Sequence, residues 1–517
     1  VPDAKDGPKP ETYRESERKF RIHGLFALPD LAGAGPVSGV EERGTYDLTA
    51  VYHDTGDLRL AREGITLRRR EGGSDAGWHL KLPVGGLGSG VRDELRLPLE
   101  AGEVGDVPQE LRELVTAITR TAPLVAVATL QTKRVSRVLL TADGRELAEL
   151  TDDDVSVVDG DRVVVKFHEL ELEDLEARPG ELDESVERLL AAGAVPGEFA
   201  SKAVRALGPM ASAPSDIPRL PAVGPKDSAA VLVRAFIAEQ ARKLRENDLG
   251  VRRDAEDAVH QVRVAARRLR SGLKVFRPLL DREWADGLRA ELKWLAGEFS
   301  AARDREVLRE RLDESVKHLP HDVEPLAARS LIDRHLGKEA DDGRERALAA
   351  LRSDRYVALH DALVDAVNAP RLTKSAEKAC ADVLPPLVAK AWKRLDRDVK
   401  GLQLDGPDEE WHEARKAAKQ VRYACEAVAP ALGKPAKRLA KQVERVTEHL
   451  GEHMDASVAA HTLQGFAAGS HVGGRTGFAL GLLYCEERAA MDLARHEFLD
   501  LWPEVADPKH RRWLRPT

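Results

Sequence analysis

The sequence changes period at residues 208–226, and that change constrains the fold more than any other feature. This stretch holds Pro209, Pro214, Pro218, Pro221 and Pro225 and repeats with neither two residues nor 3.6, so it reads as a linker. Before it, short β-branched, alternating runs are broken by turn residues at 45–53, 64–70, 78–82, 91–99, 130–140, 146–150 and 162–172, a mostly antiparallel β pattern. After it come long Ala/Leu/Arg stretches of helical period at 228–247, 254–276, 282–299 and 304–317, continuing to about 501. A chain of 517 residues is too long for one ordinary core. The expected division is a tail at 1–12, a β domain at 13–205, a linker at 206–226, an all-α domain at 227–505 and a tail at 506–517.

The net charge of −8 hides a split between the two halves. Residues 1–205 carry 27 Lys/Arg against 39 Asp/Glu, and the remainder carries 53 against 49. Two modules with different electrostatic tasks are implied. No apolar run approaches the roughly 18 residues of a membrane span and no charged-then-apolar leader is found, so a cytoplasmic protein with no membrane partner is expected. Heavy use of Ala, Arg, Gly, Val and Asp over Lys and Asn suits a GC-rich bacterial coding region. Cys380, Cys425 and Cys485 are far apart and lack metal-ligand spacing, so they read as reduced core residues.

In the β half, charge arrives in pairs. Glu15, Glu17 and Lys19 are two residues apart and share one face of a strand. Adjacent carboxylates repel, and one lysine offsets only part of that, so the trio suits a divalent metal and an anion filling the gap. Arg68 with Arg70, His79 with Lys81, Arg92 with Glu94 and Glu169 with Glu171 repeat the spacing, and their alternating neighbours Leu67, Leu80, Leu82, Leu95, Leu170 and Leu172 are apolar. Alternating strands ordinarily turn charge to water. Five strands that deliver charge in pairs, acids and bases together, instead favour a closed barrel with a wet, charged bore.

Glu15, Glu17 and Lys19, then residues 52–55, 64–70 and 77–83, and finally Glu169, Glu171 and Glu173, resemble in order the CYTH domain of the triphosphate tunnel metalloenzymes. The resemblance implies an eight-stranded antiparallel barrel whose tunnel binds a triphosphate through basic side chains and divalent metal, Mg or Mn, through acidic ones. Lys19, Arg68, Arg70, Lys81 and Lys202 carry over as phosphate ligands, with Arg92 and Arg134 as additions. Glu15, Glu17, Glu169 and Glu171 carry over as metal-side carboxylates, assisted by Glu94 and Asp153. Alternation leaves open Arg134 against Lys133, and Asp153 against Glu149, Asp152 or Asp154. Glu15, Glu17 and Lys19 form the expected catalytic set, a glutamate among them serving as general base.

In the helical half, His260, Arg263, Arg267, Arg270 and Lys274 fall on one stripe, opposite Val262, Ala265, Ala266, Leu269, Leu273 and Phe276. The pattern recurs 152 residues later as His412, Arg415, Lys419 and Arg422, and residues 302–305 have a counterpart at 453–456, offset by 151, which argues for duplication. No acid interrupts 261–277 to relieve the repulsion between neighbouring cations, so an anionic ligand is favoured over a merely solvated face. Lys434, Lys437, Arg438, Lys441 and Arg445 extend the positive surface.

These stripes, with Asp304 and Asp455, resemble the CHAD domain. The resemblance implies two pseudo-symmetric four-helix bundles, about 227–372 and 373–505, around a basic groove for inorganic polyphosphate. His260, Arg263, Arg267, Arg270, Lys274, His412, Arg415, Lys419 and Arg422 carry over as its binding residues, and Lys441 of the adjoining basic row is expected to join them. Asp304 and Asp455 are expected to orient arginines, and Glu426, standing where the first repeat has Lys274, to narrow the groove. The expected function is metal-dependent hydrolysis of inorganic triphosphate or polyphosphate. A non-catalytic polyphosphate-binding or granule-associated scaffold is the alternative. The barrel resemblance also permits an adenylyl cyclase, but the sequence shows no purine pocket. Nucleic acid is disfavoured because the basic helices lack interleaved aromatics.

Overall fold

The computed structural model describes residues 10–84, 91–197, 201–320, 323, 325–469 and 472–514, with the side chains of 301–303 excluded. The chain forms two compact units, Val1–Asp216 and Ile217–Thr517.

The first unit is a β structure with few helices. Its strands are β1 (Glu11–Ile22), β2 (Gly39–Asp54), β3 (Thr66–Glu71), β4 (Gly77–Pro83), β5 (Val91–Leu97), β6 (Val125–Leu140), β7 (Glu146–Asp159), β8 (Arg162–Asp174) and the short β9 (Val195–Pro196). Helices α1 (Arg59–Arg62), α2 (Gln109–Thr119), α3 (Asp183–Ala191) and α4 (Lys202–Leu207) accompany them. The strands are antiparallel neighbours in the order β5-β4-β3-β2-β6-β7-β8-β1-β9, and β5 also pairs with β1. The first half of β1, through Ser16, pairs with β5 and the second, from Glu17, with β8, so β1–β8 make a continuous ring of pairings with no open edge between β1 and β5. Gly72 shows why the β3–β4 turn needs glycine: its φ is +82° and a Cβ there would lie 2.2 Å from the Asp47 carbonyl oxygen.

Apolar side chains cover the outside of this ring. Phe20, Leu139, Leu150, Leu170 and Leu172 pack under Leu31, Val37, Leu182 and Leu189, the last on α3. The opposite faces of the same strands bury Glu15, Arg70, His79, Glu94, Asp153 and Glu169. Ion pairs that skip a strand, Lys81 on β4 to Glu15 on β1 and Arg134 on β6 to Glu171 on β8, show that these charges share the inner face.

The second unit contains α5 (Ala229–Arg252), α6 (Ala258–Val275), α7 (Arg282–Glu298), α8 (Ser300–Lys317), α9 (Pro325–Leu351), α10 (Asp354–Asn368), α11 (Cys380–Lys400), α12 (Asp408–Leu432), α13 (Lys434–Ala467) and α14 (Gly474–Val505). On α6, Val262, Ala265, Ala266, Leu269 and Leu273 are buried, so the apolar stripe faces inward as its spacing requires. The duplication is imperfect. The first half has a break at Phe299 between α7 and α8 where the second runs on as the single helix α13, and α10 is additional. One apolar core joins α8 and α9 to α13 and α14, through residues such as Leu312, Ile332, Leu463 and Leu483, so the two halves are not separate bundles.

Three sequence expectations change. The proline-rich stretch does not run free: Ala211 packs with Leu58 and Ala61, Arg62 donates to the Pro214 carbonyl, and Ala381 N–H donates to the Pro225 carbonyl. Prolines deny this segment a regular period while leaving its carbonyls free to accept. The C-terminal segment forms a 3₁₀ helix, Pro508–Leu514, with Arg511 4.4 Å above the Trp392 ring. Cys485 is exposed, unlike the buried Cys380 and Cys425, because it sits on the solvent side of α14.

Candidate functional site

Inside the strand ring the charges interlock. Lys19 Nζ lies 2.6 Å from Glu171 and 3.1 Å from Glu17. Lys81 Nζ lies 2.5 Å from Glu15 and 3.3 Å from Glu94. Arg134 holds Asp153 through two hydrogen bonds of 2.8 and 2.7 Å and reaches Glu171 at 3.2 Å. Ser201 caps α4 by accepting from Val204 N–H, and the first residue of that helix, Lys202, stands 2.9 Å from Asp153, 2.9 Å from Glu169 and 2.7 Å from Glu171. One ammonium thus serves three carboxylates from two strands.

Electrostatics follow from this geometry. Burial pushes the Glu171 carboxyl toward neutrality, but Lys19, Lys202 and Arg134 outweigh it and hold it well below the usual range. Burial likewise opposes the Lys19 charge, yet Glu17 and Glu171 raise it to about 12. Arg70 behaves differently: burial and the nearby Arg68 lower it to about 10 despite its ion pair with Asp75. Glu173 is poorly compensated. Burial, then repulsion from Glu15, Glu17 and Glu149 against the weaker pull of Lys81, raises it to about 7.

In the helical unit the two basic stripes stand on packed helices, α6 and α12, with Lys274 Nζ donating to Gln420 Oε1 across them at 2.9 Å. Arg263 pairs with Asp304 at 2.8 Å and Arg415 with Asp455 at 3.5 Å, equivalent contacts in the two repeats. Burial, then Arg415 and Arg267, lowers Lys419 to about 8, and burial, then Arg289 and Arg267, lowers Arg270. Neighbouring cations therefore repel one another along this helix pair.

Two family matches divide the chain as this geometry does: the CYTH domain over residues 13–206 and the CHAD domain over residues 235–464. Two uncharacterized proteins from two strains of Mycobacterium tuberculosis are each 35% identical over 521 aligned positions, covering 95% of this chain and 96% of their own length. The chain is a CYTH–CHAD fusion. Among solved structures, PptA from Streptomyces chartreusis is 26% identical, with 54% of this chain and 100% of that one covered at a TM-score of 0.47. A CHAD domain from the plant Ricinus communis is 25% identical, with 59% and 98% covered at a TM-score of 0.44.

Within the CYTH unit, Glu15, Glu17, Lys19, Lys81, Glu94, Arg134, Asp153, Glu169, Glu171 and Lys202 come together, and Arg68 joins them 3.9 Å from Glu94. Arg134 and Asp153 are cross-strand partners bound to each other on the inner face, whereas the adjoining partners Lys133 and Asp154 are exposed, and Glu149 shares the strand face of Asp153. Arg92 stands opposite Glu15, whereas Arg70 turns to Asp75. Among the described residues no three His, Cys, Asp or Glu side chains stand at metal-binding spacing, since the acids expected to hold metal are engaged by lysines and arginines.

Sequence reasoning missed Arg96, which binds Glu94 and lies 3.5 Å from Glu15, and Arg205, 2.6 Å from Glu169. It also missed His79 as a buried bridge between Glu94 (2.8 Å) and the Asp75 carbonyl (2.9 Å), and Glu173 with Glu149 as an acidic pair. Continued alternation, 92-94-96 and 169-171-173, is the signal that points to Arg96 and Glu173.

Within the CHAD unit, Arg263, Arg267, Arg270, Lys274, Arg415, Lys419 and Arg422 lie along the α6–α12 pair. His260 sits in the first turn of α6 and His412 contacts the Met454 sulfur at 3.1 Å. Lys441 is exposed on α13, off those two helices. Glu426 pairs with Arg268 and Arg422, each at 3.4 Å, so it neutralises cations from both repeats.

Proposed function

We propose that the CYTH unit is a triphosphate tunnel barrel that hydrolyses inorganic triphosphate or the end of a polyphosphate chain, and that the CHAD unit captures inorganic polyphosphate along α6 and α12. The observation carrying this reading is the closed strand ring with Lys19, Lys81, Lys202, Arg68 and Arg134 converging on its inner face. A triphosphate is a chain of anionic oxygens, and phosphoryl transfer needs positioning and charge neutralisation more than a covalent nucleophile. Ammonium and guanidinium groups bind such oxygens well.

The donor set fits Mg²⁺ or Mn²⁺ in its chemistry, because the acids supply hard oxygen ligands and Glu173, Glu15, Glu17 and Glu149 form a repelling cluster that a divalent cation would relieve. Glu15, Glu17, Glu169 and Glu171, with Glu94 and Asp153, would hold it. When bound, the metal supplies charge neutralisation and orients water. Phosphate oxygens compete for Lys19, Lys81 and Lys202, and each cation drawn to them releases a carboxylate. Lys202 and Arg134 orient the anion, while Glu15 or Glu17 accepts a proton from the attacking water.

A second reading, a phosphate-binding scaffold with little turnover, draws on the same ion pairs, which already engage the acids expected to hold metal. Titration calorimetry on the full chain tests the binding assignments. Inorganic triphosphate should bind wild type and fail to bind Lys81→Ala, and long-chain polyphosphate should lose affinity in Arg267→Ala with Lys419→Ala. Unchanged binding in either variant overturns the corresponding assignment.

A further inference from the structure

Tyr52 stands on β2 directly opposite Arg68 of β3, so the two share the inner face of the strand ring. Tyr52 is 5% exposed. Its ring packs with Ala50, Leu130, Val155 and Val157 and with Ala203 of α4, the neighbour of Lys202. That apolar seat fixes the ring and leaves the hydroxyl as the one polar atom the side chain presents. The charged groups that face the hydroxyl are Arg68, which donates a hydrogen bond to it, Lys202 and Lys19. Burial favours the neutral phenol, but these three cations outweigh it and lower its pKa.

All three cations are hydrogen-bond donors. Arg68 satisfies the hydroxyl oxygen, and none of the three can accept the hydroxyl proton. An anionic oxygen placed between Arg68 and Lys202 supplies what is missing, because it accepts from both cations and from the phenol at once. We propose that Tyr52 is a further ligand of the triphosphate, its hydroxyl donating to a non-bridging oxygen of the phosphoryl group that Arg68 and Lys202 bind. The packed ring fixes where that donor stands, so the phosphoryl group is held by a neutral donor as well as by charge. This deepens the triphosphate reading of the strand ring and rests on it.

Calorimetry and tyrosinate absorbance, both on the full chain titrated with inorganic triphosphate, test this. A bound anion offsets the three cations and favours the protonated phenol. At about pH 9.5, just under the ordinary tyrosine value of about 10, wild type should therefore lose part of one tyrosine's tyrosinate signal as triphosphate binds. Tyr52→Phe keeps the packed ring and should show no such loss. It should also bind triphosphate about tenfold more weakly at pH 7.5, the lower limit for losing a hydrogen bond to a charged group. Tyr13→Phe, which removes the tyrosine lying under Arg96, should leave the signal in place. Binding heat without a tyrosinate change, a change that survives Tyr52→Phe, or a Tyr52→Phe affinity within about twofold of wild type overturns the proposal while leaving triphosphate binding intact. A wild type that gives no binding heat at either pH sinks the triphosphate reading itself, and this ligand with it.

Discussion

Replacing Lys202 with methionine keeps the length of the side chain and removes the ammonium shared by Asp153, Glu169 and Glu171. Removing one member of a buried ion pair costs about 3–5 kcal/mol because its partner is left charged in a poor solvent. Here Asp153 keeps Arg134, Glu171 keeps Lys19 and Arg134, and Glu169 keeps Arg205, so the low end, about 3 kcal/mol, is expected. For a unit of this size that corresponds to a midpoint lowered by about 6–12 °C. The penalty depends on pH in a definite direction. The Glu171 and Asp153 carboxyls are held below their unfolded values by cations, so that stabilisation is present above the unfolded values and is lost as pH falls through the folded ones. Lys202→Met should therefore be strongly destabilised near pH 7.5, with the gap closing in acid. Thermal unfolding of wild type and variant at several pH values measures it. A difference below about 1 kcal/mol at pH 7.5, or a gap that widens in acid, would refute the assigned ion-pair cluster.

Glu173→Gln should raise the stability of the CYTH unit above neutral pH and change little at pH 4.5. The wild-type carboxyl, raised to about 7, loses stability as pH climbs from its unfolded value through that point, by up to about 3 kcal/mol, and denaturant titration at pH 4.5 and 8.5 reads the difference. In the CHAD unit, with Lys419 lowered to about 8, polyphosphate binding near pH 8 should take up a proton and weaken toward pH 9.5, seen as a calorimetric enthalpy that varies with buffer ionisation heat. Arg267→Ala combined with Lys419→Ala should lower polyphosphate affinity by more than about 100-fold, at about 1.5–3 kcal/mol per charged hydrogen bond, measured by the same titration. Under native conditions one thiol, Cys485, should react with a disulfide reagent and three after unfolding, because Cys380 and Cys425 are buried and burial raises Cys380 to about 11.

Much of the inner face is legible in the sequence because strand alternation sorts Glu169 and Glu171 from Leu170 and Leu172 without knowledge of partners. Which face turns inward is different. The β6–β7 register pairs Lys133 with Asp154 and Arg134 with Asp153 alike, so the choice falls to which pair is buried among the inner-face ions, a fact that no single strand carries. Arg96 escapes notice although alternation reaches it, since a charge at a strand end looks the same whether it meets water or Glu94. The helical stripes are plain for the opposite reason: α6 and α12 each carry their cations on one side.

The central claim, that the inner face of the strand ring turns over triphosphate, is tested most directly by phosphate release from inorganic triphosphate with Mg²⁺ and with Mn²⁺, comparing wild type with Glu15→Gln and Lys81→Ala. Wild type should show metal-dependent release that both substitutions abolish, Lys81 being bound to Glu15 at the heart of the cluster. A folded, metal-supplied wild type that releases no phosphate would contradict that claim and leave the phosphate-binding scaffold.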